Sequence, residues 1–170
     1  NYKSFLKEII MIHINVICVG KLKEKYLQEA LSEYSKRLSK YCNLKIIELS
    51  DEKLPSNLND SLINQIKEKE SNNIMSHIEK NSYVIALDLK GIQYSSEDFS
   101  KKINDISLNN SSNITFIIGG TLGLSKKVLD CSNEIICFSK MTFPHQLIRI
   151  FLLEQIFRSF KILNNETYHR

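Results

Sequence analysis

The stretch Ile114-Thr-Phe-Ile-Ile-Gly-Gly-Thr-Leu-Gly123 decides the fold class of this chain. Its first half is a short apolar run of β-branched and aromatic residues, which is typical of a strand covered on both faces. Its second half starts with two glycines and predicts a turn directly after the strand. Strands covered on both faces belong to parallel sheets with helices on either side, so the stretch favours an α/β fold.

Strands and helices alternate on both sides of this stretch. Apolar runs predict strands, and apolar residues at i, i+3 and i+4 spacing predict helices between them. The strands are expected at residues 13–19, 44–49, 83–89, 114–118 and 134–138. The helices are expected at residues 24–38, 96–107 and 144–163, with a further long helix capped by Asp60 and a short one opened by Ser125. The alternation predicts a mainly parallel sheet flanked by helices.

Length and composition fit one globular domain. The chain has 170 residues, of which 42% are hydrophobic and 25% charged, and two full domains would be cramped in it. Its four cysteines form no C-x-x-C pair and its four histidines add no zinc spacing, so we expect no metal site and reduced thiols in a cytoplasmic protein. The formal net charge of +4 permits a nucleic-acid partner without requiring one.

The amino-terminal segment requires a choice between a strand and a targeting sequence. The apolar run at residues 9–19 follows two lysines, as in a secretory signal, but polar residues interrupt it and it is too short to span a bilayer. The residues that follow, Gly20-Lys-Leu-Lys-Glu-Lys25, do not resemble a signal cleavage site. We therefore predict a buried strand, no membrane partner, and a domain of residues 11–170 preceded by an extension of residues 1–10.

The last helix is hydrophobic around most of its circumference. A helix on the outside of a small sheet is not expected to bury so many apolar side chains within one chain, so the pattern favours a self-interface and a homodimer. Phe157 is expected among the outward positions. A central core helix in a monomer is the alternative. The apolar residues are Leu147, Ile148, Ile150, Phe151, Leu152, Leu153, Ile156, Phe157, Phe160, Ile162 and Leu163.

Ligand sites in open α/β sheets lie beyond the carboxyl ends of the strands, and three segments of this chain have that position. They are residues 87–91, residues 119–123 and residues 138–145. Gly119 and Gly120 lack a Cβ atom and would allow a flat ligand to approach the backbone closely. Their GGxxG spacing differs from the GxGxxG of a dinucleotide site, and a simple tight turn explains it equally well.

Positive charge is carried by 19 lysines and only four arginines, three of which lie in the last 22 residues. An arginine kept against such a lysine bias indicates planar, bidentate contacts with phosphate or carboxylate. We expect Arg158 to pair with Glu154 at i, i+4 spacing, and Arg149 and Arg170 to be better phosphate ligands.

The final residues, Tyr168-His-Arg170, place a stacking ring, an imidazole and a fixed cation together. That combination suits a nucleotide, and a frayed chain end is an equally good explanation.

Four segments resemble the RlmH family, the small SPOUT-class methyltransferases that act on bacterial large-subunit ribosomal RNA. The segments are Val19-Gly-Lys-Leu-Lys-Glu-Lys25, Phe116-Ile-Ile-Gly-Gly120, Ser139-Lys-Met-Thr-Phe-Pro-His-Gln146 and Tyr168-His-Arg170. The resemblance runs in one register from about Met11 to Arg170. It implies an α/β fold with a deep trefoil knot in the carboxyl-terminal half, and a homodimer. It also implies methylation of N3 of a pseudouridine in the helix 69 loop of 23S rRNA. We expect assembled ribosomes as the substrate, because so small a chain has little room for an RNA-reading domain, and isolated RNA is the alternative.

The resemblance implies S-adenosylmethionine as the cofactor and assigns it to the same three segments. Carried over residue by residue, its contacts fall on Leu87, Gly119, Phe138, Ser139, Lys140, Met141, Thr142 and Phe143. The candidate catalytic residues are His145, Tyr168, His169 and Arg170. The candidate ligands of RNA phosphates are Lys21, Lys23, Lys25 and Arg149. His145 also has a structural interpretation as a residue at the start of the last helix.

Two other classes of function remain open at this point. A non-catalytic RNA-binding module would keep the lysines without needing a cofactor loop, so binding of S-adenosylmethionine distinguishes it from an enzyme. A nucleotide-dependent oxidoreductase would need a glycine fingerprint after the first strand, where only Gly20 stands.

Overall fold

Strands and helices alternate along residues 11–168, the part of the chain that the computed structural model describes. The strands are β1 (Ile12–Val19), β2 (Cys42–Leu49), β3 (Tyr83–Ile92), β4 (Asn113–Ile118) and β5 (Glu134–Ile136). The helices are α1 (Lys25–Leu38), α2 (Asp60–Ser76), α3 (Ser96–Asn109), α4 (Lys126–Cys131) and α5 (His145–Leu163). The predicted extension of residues 1–10 lies outside the described residues, as do His169 and Arg170.

The strands form one parallel sheet in the order β2-β1-β4-β3-β5. The stretch that begins at Ile114 supplies the middle strand, β4, and its residues from Ile114 to Ile118 are at most 3% exposed. In register, Phe116 lies between Val16 of β1 and Ile85 of β3. The structure confirms the predicted parallel sheet flanked by helices. The trefoil knot stays a prediction from the resemblance.

Helices cover both faces of this sheet because the apolar side chains of its strands alternate between the faces. Val16 of β1 packs in a cluster with residues of α1, α3 and α5, whereas its neighbour Ile17 packs in a second cluster with residues of α2 and α4. The sheet is therefore buried on both sides, as its continuous apolar strands require.

Two helix starts differ from the sequence prediction. Asn59, rather than Asp60, caps α2, because the side chain of Asn59 accepts the backbone N–H of Leu62 at 2.8 Å. Pro144 precedes the first helical residue of α5 instead of beginning the helix.

The pairing of β3 with β5 is irregular, and β3 is longer than predicted. After Leu87 the pairing is interrupted and then resumes at Ile92, so that both residues align with Ile136. A Cβ atom on Gly91 would lie 2.4 Å from the carbonyl carbon of Ile136, which shows that the two backbones are in direct contact. The backbone N–H of Cys137 then donates to the carbonyl of Ile92 at 2.9 Å. This second contact holds residues 88–92 against the end of β5.

Helix α5 is buried more completely within one chain than its sequence predicts. It packs against both α1 and α3, and Phe157 is only 6% exposed, so the expectation that Phe157 points outward is wrong. Its buried apolar residues are Leu152, Leu153, Ile156, Phe157 and Phe160. An apolar patch remains near its start, where Phe151, 40% exposed, packs edge-to-face against Phe143, 37% exposed, with ring centroids 5.6 Å apart.

Candidate functional site

The carboxyl ends of β3, β4 and β5 surround a cavity of about 540 Å³. A cavity of this size is typical of small-molecule sites. All three strand-end segments line it, together with the start of α5. Of the eight positions assigned to the cofactor, Lys140 is exposed and is not part of the lining. The seven lining positions are Leu87, Gly119, Phe138, Ser139, Met141, Thr142 and Phe143.

The glycine turn after β4 forms one wall of the cavity. Gly123 has a φ of +74°, which favours glycine, and its N–H donates to the carbonyl of Gly120 at 3.0 Å. A Cβ atom on Gly119 would lie 3.0 Å from the carbonyl carbon of Gly123 and 3.1 Å from the side chain of Leu124. Gly119 is therefore required by the turn itself, in addition to any close approach by a ligand.

The segment between β5 and α5 forms the outer rim. The Ser139 hydroxyl accepts the backbone N–H of Met141 at 3.0 Å, which fixes the turn between them. The side chains beyond this turn remain open to solvent, with Met141 73% exposed. A substitution at these exposed positions would therefore leave the core undisturbed.

Asp88 is a lining residue that the sequence reasoning did not single out, although it lies inside the segment chosen after the third strand. Its Oδ1 accepts the backbone N–H of Lys90 at 2.9 Å, within the part of β3 whose pairing with β5 is irregular. A carboxylate in the last residues of the predicted strand, inside a chosen segment, was the available signal. Asp88 gives the cavity an anionic acceptor.

His145 lines the same cavity from the first turn of α5. Burial lowers the pKa of its imidazole, and the nearby positive charge of Arg149 lowers it further, against an opposing effect of Asp51. The ring is therefore neutral at pH 7 and able to accept a proton or a hydrogen bond. The structure brings this predicted residue to the cavity that seven of the predicted cofactor positions line.

Arg149 does not have the position expected of a phosphate ligand. Its side chain is 1% exposed, and its Nη1 donates to Glu48 Oε2 at 2.8 Å. Its Nη2 donates to the carbonyl oxygens of Val19 at 3.2 Å and Gly20 at 2.9 Å. We correct the sequence prediction accordingly, because a buried arginine already bound to protein oxygens cannot also bind RNA at the surface.

Lys21, Lys23 and Lys25 are exposed and follow β1 directly, at the same edge of the sheet as the cavity. Between them Leu22 is 5% exposed, and its backbone N–H donates to Glu48 Oε2 at 2.8 Å. Lys25 faces Glu29 at 3.8 Å, an exposed pair of little energetic weight. The lysines are thus available for phosphate contacts.

The described part of the carboxyl-terminal tail folds back on α5. The Tyr168 ring packs edge-to-face on Phe157 with centroids 5.0 Å apart, and its hydroxyl donates to Glu154 Oε2 at 3.1 Å. Burial and that hydrogen bond raise the pKa of Tyr168. Arg158 donates to Glu154 at 2.8 Å, which confirms the predicted i, i+4 pair. Within one chain, therefore, Tyr168 is anchored to the helix and does not line the cavity.

A metal centre or a membrane-spanning helix would indicate another class of protein. Residues 11–168 contain no group of three or more His, Cys, Asp or Glu side chains placed to hold a metal ion. Among the helices of the same range, none is long and apolar enough to cross a membrane.

The lining fits S-adenosylmethionine chemically. The side chains of Leu87, Ile118 and Leu124 offer an apolar surface for the flat adenine ring, and the Asp88 carboxylate offers an acceptor for hydroxyl or ammonium groups. No atom lies within 4 Å of the Cβ position of Gly123, so the backbone there is open to close approach. The residues present can therefore hold this cofactor.

Comparisons with known proteins point to the same chemistry. Residues 12–169 match the family described as "Predicted SPOUT methyltransferase". The chain is 58% identical over 159 residues to the ribosomal RNA large subunit methyltransferase H of Clostridium tetani, and 57% identical over 161 residues to that of Clostridium botulinum. Both alignments cover 94% of this chain and 100% of the relative.

Among solved structures, the fold is similar to "a probable methylase family protein" from Haemophilus influenzae Rd KW20. The TM-score is 0.51 at 11% sequence identity, and the match covers 92% of this chain and 70% of the other. At this identity the similarity concerns the fold.

Proposed function

The chain belongs to the SPOUT methyltransferases, among the ribosomal RNA large subunit methyltransferase H proteins, and from this we propose that it methylates N3 of a pseudouridine in the helix 69 loop of 23S rRNA. Large-subunit ribosomal RNA is what the name of the relatives states. The nucleotide and its position follow from the resemblance of the four sequence segments. The observation that carries the proposal is the single cavity that collects seven of the eight expected cofactor positions.

S-adenosylmethionine, when bound, supplies a methyl group on a positively charged sulfur that makes it open to nucleophilic attack. Methylation of N3 by this group would release the N3 proton, which the chain would have to accommodate. The chain has to orient the base, exclude water and receive that proton. The apolar side chains of Leu87 and Leu124 on the cavity wall would help to exclude water.

His145 is the lining residue best suited to take the proton. Its ring is neutral because burial and Arg149 lower its pKa, and a neutral imidazole nitrogen can accept a proton from N3. Asp51, whose Cγ lies 3.9 Å from the same Gly20 Cβ position as the His145 ring, would attract the imidazolium that results. Tyr168, whose hydroxyl donates to Glu154, serves better as a packing and hydrogen-bonding group than as a base.

The exposed lysines hold the RNA backbone in this proposal. Lys21 and Lys23 flank Leu22, whose buried side chain anchors the segment beside the cavity. Phosphate contacts of this kind position a nucleic acid without reading its sequence. The sequence preference then comes from the fit of one extruded base into the cavity.

We also propose a homodimer that acts in the cytoplasm on assembled ribosomes. The support for the dimer is the exposed pair formed by Phe143 and Phe151, which lies at the rim of the cavity and beside a second cavity of about 320 Å³. A second copy that covers this patch would bury apolar surface and enclose the site.

A methyl-transfer assay tests the proposal. Ribosomes from cells that lack this protein are incubated with the purified chain and S-adenosylmethionine carrying a labelled methyl group, and the labelled nucleoside is then identified and mapped. We expect one labelled pseudouridine in the helix 69 loop. Label on another nucleoside, or no label although calorimetry shows cofactor binding, would refute the proposed substrate.

A further inference from the structure

Arg149 lies buried where α5 meets the carboxyl ends of β1 and β2. Its guanidinium donates to the Glu48 side chain of β2 and to the last carbonyls of the β1 segment, those of Val19 and Gly20. A planar guanidinium donates to these oxygens from two separate nitrogens in a fixed geometry, whereas all the donors of an ammonium group lie on one nitrogen. One side chain therefore ties the last helix to two strands.

Glu48 links Arg149 to the segment that carries Lys21 and Lys23. Its Oε2 accepts from both Arg149 Nη1 and the backbone N–H of Leu22, each at 2.8 Å. Leu22 lies in the middle of residues 21–25, which we call the lysine segment. The ion pair thereby fixes the backbone of the segment whose exposed Lys21 and Lys23 are available to RNA phosphates.

His145 is also close to Arg149, since it lies one helical turn before Arg149 on α5. The Cβ position of Gly20 is 3.8 Å from His145 Nε2, 3.8 Å from Arg149 Nη2 and 3.9 Å from Asp51 Cγ, so these groups meet around one backbone turn. The charged groups that face the imidazole are thus Arg149 from α5 and Asp51 from the segment after β2. His145 in turn lines the cavity.

We propose that Arg149 and Glu48 form a positioning pair that holds the His145 ring at the cavity and the lysine segment beside it. This role rests on the proposed function, because it gives the RNA backbone and the reacting base one fixed relative position. Neither Arg149 nor Glu48 is among the lining residues, so the pair acts through His145 and the lysine segment. It accounts for a fully buried arginine that is bound to protein oxygens at the end of the sheet.

The main test replaces the pair by neutral side chains of similar size in the double variant Glu48→Gln/Arg149→Met. Changing both residues avoids the unpaired buried charge that a single change would leave. We expect the single-turnover rate on ribosomes to fall about a hundredfold, because small displacements of reacting groups have effects of this size. Cofactor affinity should stay unchanged, and the NMR titration of the His145 ring should move to higher pH, since Arg149 no longer repels the imidazolium.

The matched control is Lys101→Gln, which also removes a positive charge from an ion pair but on the exposed face of α3, where Lys101 contacts Asp98 at 3.3 Å. Its rate, cofactor affinity and His145 titration should equal those of the unchanged chain. A folded double variant with an unchanged rate and an unchanged His145 titration would overturn the proposal.

A second variant covers the case in which the double variant does not fold. Arg149→Lys keeps the charge but has one nitrogen in place of the separate Nη1 and Nη2 that contact Glu48 and the carbonyl oxygens, so the rate should fall while the His145 titration stays near its original position. An unchanged rate in Arg149→Lys would overturn the positioning role.

The test also separates this inference from the proposed function. If the unchanged chain methylates no ribosome, the proposed function fails, and the positioning pair is judged by structure-sensitive signals alone. The double variant should then shift the His145 titration and the backbone amide resonances of residues 21–25, and Lys101→Gln should shift neither. Unmoved signals would overturn the pair independently of any activity.

Discussion

The ionisation of one imidazole controls the chemistry available in the cavity. Burial of His145 disfavours the imidazolium, Arg149 repels it, and Asp51 offsets part of both effects, so the pKa lies below its ordinary value of 6.5. A base with such a pKa is already neutral at physiological pH. In the proposed function, this neutral ring is ready to accept the N3 proton.

The first prediction concerns the dependence of the methyl-transfer rate on pH. The rate should fall as the pH decreases through a midpoint below 6.5, because protonated His145 cannot accept the N3 proton. His145→Gln should lower the rate about a hundredfold or more and abolish this acidic limb. Single-turnover rates on ribosomes between pH 5 and pH 8 measure this pH dependence. If the rate of the His145→Gln variant still fell at low pH, the role of His145 as the proton acceptor would be contradicted.

The second prediction locates the cofactor with Thr142→Trp. Thr142 is exposed and lines the cavity, so a large ring should fill the site without disturbing the core. We expect cofactor affinity to fall at least tenfold, about 1.4 kcal/mol, with no change in melting temperature. Calorimetry measures the affinity, and Ser32→Trp on the exposed face of α1 is the control. Equal affinity in the two variants would exclude the cavity as the cofactor site.

Gly119 is a less suitable position for that experiment. Because its Cβ position is already crowded by Gly123 and Leu124, Gly119→Val would disturb the turn of the chain itself as well as any bound ligand. A loss of affinity in that variant would have two causes that calorimetry cannot separate.

Among the elements, the close contact of β3 with β5 gives the third prediction. A methyl group on Gly91 would lie 2.4 Å from backbone atoms of Ile136, and backbone cannot move aside as a side chain can. Gly91→Ala should therefore lower the free energy of unfolding by about 1–3 kcal/mol or more. Urea unfolding measures this, with Gln93→Ala on the exposed neighbour as the control. Equal stability of the two variants would show that the strands are not in contact here.

The fourth prediction separates the two faces of α5. Phe157 is buried against Tyr41 and Tyr168, so Phe157→Ala should destabilise the folded chain by about 3–5 kcal/mol. Phe151 is 40% exposed, so Phe151→Glu should leave the chain folded but disrupt the proposed dimer. Denaturant unfolding and sedimentation velocity measure the two effects. A wild-type chain that sediments as a monomer at micromolar concentration would refute the dimer.

At the scale of the whole molecule, the described end of the tail packs on α5. Tyr168 packs on Phe157, and the Arg158 guanidinium lies 4.8 Å from the centre of the Tyr168 ring. Removal of residues 168–170 would therefore reduce stability as well as activity. A truncation that tests catalysis has to end at Tyr168.

The fifth prediction uses that truncation. A chain without His169 and Arg170 should keep its stability and cofactor affinity, whereas methyl transfer should fall by orders of magnitude because an imidazole and a phosphate ligand are lost. If each tail serves the cavity of the other subunit, a heterodimer of the truncated chain with the Thr142→Trp chain should regain activity. Its one working site combines the intact cavity of the truncated chain with the intact tail of the Thr142→Trp chain. Full activity of the truncated homodimer would refute the role of the tail, and heterodimers without activity would refute the crossing.

The sequence predicted the sheet well because β-branched apolar runs report burial on both faces, as residues 114–118 do. It also predicted the cavity, since strand ends in a parallel sheet share one edge. It failed for Arg149 and Phe157 because residue type and helical spacing do not show which neighbours cover a side chain. The partner of Arg149, Glu48, lies on a distant strand, and the partners of Phe157 include Tyr41, which directly precedes that strand.

The central place of β4 has a consequence for the synthesis of the chain. Ile14 pairs with Ile114, and Tyr83 of β3 pairs with the same residue, so neither β1 nor β3 has its inner neighbour until β4 has been translated. During most of translation the nascent chain carries two strands with unpaired backbone edges, which are slow to find distant partners and prone to aggregate. The final sheet, and with it the cavity, can assemble only after most of the polypeptide has left the ribosome.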